Sequence, residues 1–220
     1  MLRVGNDIVD LMQPLAIRKT RDTRFLKRVF LPDEASYVLT DMQPDAMLWA
    51  FWSGKEAAYK AIQKDSTAIP SVPRLYKVSI TADTGTKDRS SSRNERLLQG
   101  TVETPAGEVR LKTSITSDYV HSVAIPLWAA PDAKIVSQVE RMALGRTLSP
   151  AYESSLVRNA AKRHLSDCLR CRQKDIEIRR QRGPKGLGPP YVYLQNELAA
   201  TDISLSHDGD FAAFAFAIFS

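Results

Sequence analysis

The sequence predicts an α+β protein of two pseudo-equivalent halves, each with helices packed on a small antiparallel sheet. Three observations lead there. Helical stretches come first and strand-like runs after, and this order occurs twice along the 220 residues. The segments Ser114-Ile115-Thr116-Ser117-Asp118-Tyr119 and Ser206-His207-Asp208-Gly209-Asp210-Phe211 share Ser, Asp and an aromatic at matching positions, a faint internal repeat. A composition that is 43% hydrophobic lets the chain bury one substantial core, or two smaller ones that share an interface. The halves are expected at 1–130 and 131–220, divided near Pro126 and Pro131.

In order, Arg3 to Ile8 reads as a short strand, Arg24 to Thr40 as a broken helix restarted at Pro32, and Asp45 to Lys64 as a long helix. Leu48, Trp49, Trp52, Tyr59 and Ile62 recur near helical spacing in that last segment. A meander of strands follows at Tyr76 to Ala82, Leu98 to Thr104, Glu108 to Ile115 and Tyr119 to Leu127. Between the first two, Thr84 to Glu95 carries no apolar residue, so burial cannot offset its ordering entropy and a mobile loop is expected. Two helices are then expected, Ala133 to Leu144 and Pro150 to Arg172, the second with Ser149 as N-cap and Pro150 at its first position. Strands return at Asp175 to Arg180, Tyr191 to Leu194, Ile203 to Ser206 and Phe211 to Phe219, with a turn-rich stretch from Gly183 to Pro190.

A formal net charge of +6 points to an anionic partner. The basic residues are scattered instead of forming one tail, and no zinc-finger, RNA-recognition or helix-turn-helix signature occurs, which argues against nucleic acid. No run of apolar residues is long enough for a membrane span and none follows the N-terminus as a signal core, so a cytoplasmic protein is expected. Cys168 and Cys171 form a C-x-x-C within a helical stretch. A zinc site would need further ligands, and even His164 one turn earlier does not close a tetrahedron, so the pair reads as two small helix residues.

The chemistry-bearing residues lie elsewhere. In Gly5-Asn6-Asp7-Ile8-Val9-Asp10 a strand delivers Asp7 beside a glycine, read as allowing close backbone approach to a ligand. In Trp52-Ser53-Gly54-Lys55-Glu56-Ala57-Ala58-Tyr59-Lys60, Glu56 and Lys60 stand one helical turn apart on one face. By spacing alone that pair is an ordinary solvated one. A magnesium ion on a pyrophosphate needs a few carboxylates and keeps the phosphates and waters as its other ligands, and Asp7 and Glu56 are the pair that could supply them.

These two segments, followed by Ser204-Leu205-Ser206-His207-Asp208, resemble the signature of the 4'-phosphopantetheinyl transferase superfamily: a Gly-x-Asp strand, an aromatic-Ser-x-Lys-Glu-Ala-x-x-Lys helix and a Ser-x-Ser-His strand. Their order, the segment Arg24 to Phe30 leading to Glu34, and the turn Gly188-Pro189-Pro190-Tyr191 are similar to the holo-acyl-carrier-protein synthase branch. Chains of that branch are short and trimerise, whereas this one is nearly twice as long and resembles a fused pair. The first half lacks the histidine, with Ile115 in its place, and Arg163 of the second half falls opposite Glu56, so one complete site per chain and a monomer are expected.

The resemblance implies transfer of the 4'-phosphopantetheine arm from coenzyme A to a serine of an apo acyl or peptidyl carrier protein, with release of 3',5'-ADP and a magnesium requirement. It implies Asp7 and Glu56 as metal ligands, Glu56, Lys60 and Asp7 as the catalytic set, and Lys55, Lys60 and His207 on coenzyme A phosphates. Asp10 or a water would stand where the larger transferases carry a second acidic residue, here Val9. The lysine of the family's Gly-Lys-Pro turn is absent at Gly188-Pro189-Pro190, and Lys185 or Arg182 are its candidate substitutes. Arg18, Arg24 and Arg28 are candidates for meeting an acidic carrier. The competing reading is a catalytically inactive module that binds a carrier protein or nucleic acid.

Overall fold

The strands pair into two antiparallel sheets of five in a computed structural model that describes residues 3–65, 68–84, 95–128, 133–142, 150–183 and 186–218. The first sheet holds β1 (Gly5–Asp10), β2 (Lys77–Asp83), β3 (Arg96–Thr104), β4 (Gly107–Ile115) and β5 (Tyr119–Pro126) in the order β1-β5-β4-β3-β2. The second holds β6 (Lys134–Arg141), β7 (Ile176–Gly183), β8 (Gly186–Leu194), β9 (Glu197–Asp208) and β10 (Phe211–Ile218) in the order β6-β10-β9-β8-β7. The two orders are the same. In each sheet the first strand returns to lie beside the last, which is the structural form of the faint repeat.

Each sheet is covered by a long helix. α3 (Pro44–Ile62), with Pro44 in its first turn, lays Met47, Leu48, Phe51, Ala58 and Ile62 on Val78, Leu98, Val102 and Leu111. α4 (Pro150–Leu169) lays Ala160, Ala161 and Leu165 on Ile176, Val192, Ile203 and Phe214. Two short helices complete the first half. α1 (Thr23–Val29) is capped by Asp22, whose carboxylate accepts the Phe25 N–H at 2.9 Å. α2 (Pro32–Thr40) starts at a proline, and Glu34 reaches back to the Leu31 N–H at 2.8 Å. No helix among the described residues is long and apolar enough to cross a membrane.

Two expectations are corrected. Ala133 to Leu144 is not a helix: Lys134–Arg141 forms β6, paired with β10 from Lys134↔Ile218 to Arg141↔Phe211. Ile135, Val136 and Val139 fit either a helical or an extended reading locally. The open edge of β10 decides, since its backbone groups need partners there. The stretch from Gly183 to Pro190 is likewise not all turn, because Gly186 to Pro190 begins β8, paired with β7. Pro189 and Pro190 are tolerated there because the β8–β9 pairing begins only at Tyr191, leaving the prolines bonded on one side. The expected loop Thr84 to Glu95 falls mostly on residues 85–94, outside the described residues, as do Ser149 and Lys185.

The halves meet along β1 and β9, and the contact is regular. The N–H groups of Val4, Asn6, Ile8 and Asp10 donate to the side chains of Asp202, Ser204, Ser206 and Asp208, at 2.7, 2.9, 3.4 and 2.8 Å, each pair 198 residues apart. β1 is a sheet edge, and the second half satisfies its outward donors with side chains in place of another strand. Lys64 locks one end, its buried ammonium donating to Asp202 Oδ2 at 2.6 Å, Val4 O at 2.6 Å and Ile203 O at 2.8 Å. Apolar contacts fill the seam, with Val4 on Ala215 and Ala217, and Ile8 on Phe211 and Ala213.

Candidate functional site

α3 carries Glu56 and Lys60 one turn apart, so both lie along one side of the helix, and Lys64 follows just past its end. β1 lies against that helix because Gly5 has no side chain: a Cβ there would overlap Ala57 O and sit 2.6 Å from Ala61 N. The glycine thus serves approach to a helix backbone, not to a ligand as the sequence suggested. Two residues on, Asp7 points the same way and meets Lys60, with Nζ to Oδ1 at 2.7 Å.

From the other side β9 brings Ser206, whose hydroxyl donates to Asp7 Oδ1 at 3.0 Å and lies 3.2 Å from Lys60 Nζ. Asp7, Glu56, His207 and Asp208 all line one cleft of about 440 Å³ at the seam, walled on its apolar side by Phe25, Trp49 and Trp52. Trp49 is fixed by donation from its indole N–H to Ala16 O at 2.9 Å, and Phe25 packs on Trp52 with ring centres 5.6 Å apart. His207 Nδ1 stands 3.5 Å from Glu153 Oε2 of α4.

Two carboxyls of this cleft are held above their ordinary values. Burial raises the Glu56 carboxyl above the ordinary glutamate value, the Asp7 charge raises it further, and Lys60 partly opposes both. Burial also raises Asp208, with the neighbouring charges of Asp10 and Asp7 adding to it. Among the described residues no group of three or more His, Cys, Asp or Glu is arranged to hold a metal ion. Asp7 and Glu56 are the carboxylates of this open cleft that could hold a divalent ion, whose other ligands would come from substrate phosphates and water. Asp10 does not supplement them. Its Oδ1 accepts the Met12 N–H at 2.9 Å, and its Oδ2 accepts the Asp210 N–H at 3.0 Å and Gln13 Nε2 at 3.3 Å.

Lys55 is the clear departure from the expected site. It is 1% exposed on the far side of α3, its ammonium held by both Glu34 oxygens at 2.7 Å and by Tyr76 O, and Glu34 also accepts the Val78 N–H at 2.8 Å. A lysine with all three donors used inside the core has none to offer a phosphate. On the second half, the β7–β8 register shifts between Arg180 and Arg182, a bulge that re-aims the strand. Arg180, not Arg182, then lines a crevice of about 120 Å³ with Lys60, Gln63, Gly188 and Pro190. Arg182 is exposed, and Lys185 lies outside the described residues.

Several site residues escaped sequence reasoning. Ser206 and Asp208 stood in the quoted motif, but their partners on β1 are 199 and 198 residues away. Trp49 and Trp52 were readable as a helical pair one turn before Glu56. Arg180 gave no signal apart from its place in a basic strand.

The family model described as the 4'-phosphopantetheinyl transferase superfamily matches residues 3–124, from the start of the first half into β5. The holo-[acyl-carrier-protein] synthases of two strains of Leptospira biflexa serovar Patoc are each 40% identical over 62 residues, 28% of this chain and 49% of the relative. The chain spans about half the length of these curated relatives. With more than half of its residues matched by the family model, the chain belongs to the 4'-phosphopantetheinyl transferase superfamily.

Proposed function

We propose that the protein transfers the 4'-phosphopantetheine arm of coenzyme A to a serine of an apo acyl or peptidyl carrier protein, releasing 3',5'-ADP. The observation that carries this reading is the convergence of Asp7, Glu56 and His207 on one cleft at the seam, with Lys60 bound to Asp7. Family membership supports the reaction class, and the printed name of the matched relatives supports a carrier protein as acceptor. The same reading divides the chain at 1–130 and 131–220, with the site between, in a cytoplasmic monomer.

In the reaction the carrier serine oxygen attacks the phosphorus that bears the arm, and the bond from that phosphorus to the pyrophosphate bridging oxygen breaks. Glu56, which lines the cleft, takes the serine proton. Asp7 and Glu56 would hold magnesium, which when bound offsets pyrophosphate charge. Lys60 neutralises phosphate oxygen from α3, and His207 reaches a coenzyme A phosphate from the second half. Arg180 takes the part expected of Lys185 or Arg182 at the nucleotide phosphate, since it lines the crevice that Lys60 also borders. The exposed Arg18, Arg24 and Arg28 face an acidic carrier. Catalysis of this kind rests on positioning and charge neutralisation more than on covalent chemistry by the protein.

The test is incubation with coenzyme A, magnesium and a panel of apo acyl and peptidyl carriers, read by intact mass. One carrier or more should gain the phosphopantetheine mass only when magnesium is present. No gain on any carrier, together with no binding of coenzyme A, would overturn the reading. Strongly salt-dependent binding to nucleic acid in the same preparation would then favour the binding module.

A further inference from the structure

Resting on that functional reading, we propose that Ser206 is a positioning residue, a hydroxyl supplied by the second half that fixes the Asp7 carboxylate and Lys60 of the first half for the reaction. A serine hydroxyl has one hydrogen to donate and two lone pairs to accept with. Both acceptor directions of Ser206 are taken, one by the Ile8 N–H at 3.4 Å and one by Lys60 Nζ at 3.2 Å. Its hydrogen is left for Asp7 Oδ1 at 3.0 Å. The residue is 8% exposed, so water does not compete freely for any of these bonds.

The consequence is selective use of the two Asp7 oxygens. Oδ1 carries both Lys60 and Ser206, and Oδ2 carries neither, so the carboxylate is held in one rotation with Oδ2 open to a ligand in the cleft. Because Ser206 also caps the Ile8 N–H, docking of the halves and alignment of the carboxylate are one event.

Two comparisons within the chain separate this role from simple sealing of the seam. Ser204, two residues earlier on β9, caps the Asn6 N–H at 2.9 Å with the same chemistry but bonds to no acidic side chain of the cleft. Ser114, which the internal repeat places opposite Ser206, instead donates to Glu95 Oε1 at 2.6 Å. The role therefore comes from the seam and not from the residue type.

The experiment compares the full-length wild type with Ser206→Ala, Ser206→Thr, Ser204→Ala, Asp7→Asn and the double variant Asp7→Asn/Ser206→Ala. Three quantities are read: kcat for transfer, the gain in coenzyme A affinity on adding magnesium by calorimetry without carrier, and Tm. Ser206→Ala should lower kcat by roughly 10- to 100-fold, in the range expected for lost orientation, and lose most of the magnesium-dependent gain. Ser206→Thr should restore both to within about threefold. Ser204→Ala should lower Tm about as much as Ser206→Ala and, because Ser204 lines the crevice beside Arg180, can lower coenzyme A affinity alike with and without magnesium, but the magnesium-dependent gain should stay near wild type and kcat at saturating coenzyme A should fall far less than in Ser206→Ala.

In the double variant, loss of Ser206 should add nothing to the loss of Asp7, because the hydroxyl acts through that carboxylate. The inference is overturned if Ser206→Ala keeps wild-type kcat and magnesium gain, if Ser204→Ala loses as much, or if the two losses simply multiply. A wild type that neither binds coenzyme A nor modifies any carrier would overturn the functional reading itself, and this inference with it.

Discussion

Glu56 sits half-buried between an aromatic wall and a second carboxylate, with its proton held more tightly than that of a surface glutamate. Glu56→Gln should leave coenzyme A binding without magnesium within a fewfold of wild type and reduce kcat to below roughly a tenth, since the lost charge acts mainly on the transition state. A variant with higher activity would remove Glu56 from the chemistry. Lys55, one residue away, makes the opposite prediction. Lys55→Met leaves Glu34 charged and unpaired in the core and should cost about 3 to 5 kcal/mol of stability by urea unfolding. The double variant Lys55→Met/Glu34→Leu should regain much of it, and coenzyme A affinity should follow neither change. His121 adds a pH dependence. Burial first, and then the charge of Lys60, lowers its pKa to about 4, against about 6.5 in the unfolded chain. The folded state thus resists protonation, so the stability involved is full above pH 6.5 and is lost as pH falls from there toward 4, on the order of 3 kcal/mol. Urea unfolding of wild type and His121→Gln between pH 7 and 4.5 should show the wild type losing more, and parallel curves would mean that His121 is not held neutral.

At the scale of elements, the site depends on how closely β1 lies on α3. Gly5→Ala puts a Cβ into Ala57 O, and the obstacle is helix backbone that cannot rotate away. The strand must lift, so this substitution should cost at least 1 to 3 kcal/mol, the usual range for overpacking, and should weaken the Asp7–Lys60 contact with it. Tm and kcat should therefore fall together. An alanine variant with unchanged Tm would mean that β1 and α3 are less closely packed. Lys64, just past the end of α3, is buried because the seam closes over it with Asp202 and two carbonyls.

At the scale of the whole molecule, two halves with one topology have diverged into complementary parts. In the register with β10, Gln138 of β6 stands where Asp7 stands in the register of β1 with β5. Arg163 of α4 pairs with Glu140 at 2.6 Å in place of a carboxylate facing a cleft. Among the described residues the ladder of Asp, Ser, Ser and Asp acceptors belongs to the β1–β9 contact, and the repeat places Arg110 and Lys112 opposite Asp202 and Ser204. The expected particle is a monomer near 24.5 kDa that binds one coenzyme A and is active when dilute. Sedimentation and calorimetry check this. Activity recovered on mixing Glu56→Gln chains with His207→Ala chains would show that sites form between molecules instead.

The local chemistry of the site was written in the sequence. Glu56 and Lys60 on one helix face follow from helical periodicity, which α3 obeys, whereas Asp7, read as ending a strand, lies within β1, which runs on to Asp10. Legible there too are the two α+β halves, the prolines that start α2 and α4, and the serine-rich strand of the second half. Tertiary structure decided whatever depended on partners far along the chain. It made a strand of Lys134–Arg141, because the edge of β10 needed backbone partners that local propensity does not register. It took Lys55 into the core, since helical spacing says which residues share a face but not which of two faces is buried. It gave Gly5 a helix to lie against, chose Arg180 over Arg182 through a bulge, and turned Asp202, Ser204, Ser206 and Asp208 into acceptors for a strand 198 residues away. A periodic pattern sets the direction of a side chain relative to its own element, whereas what it meets there is fixed only when the two halves dock.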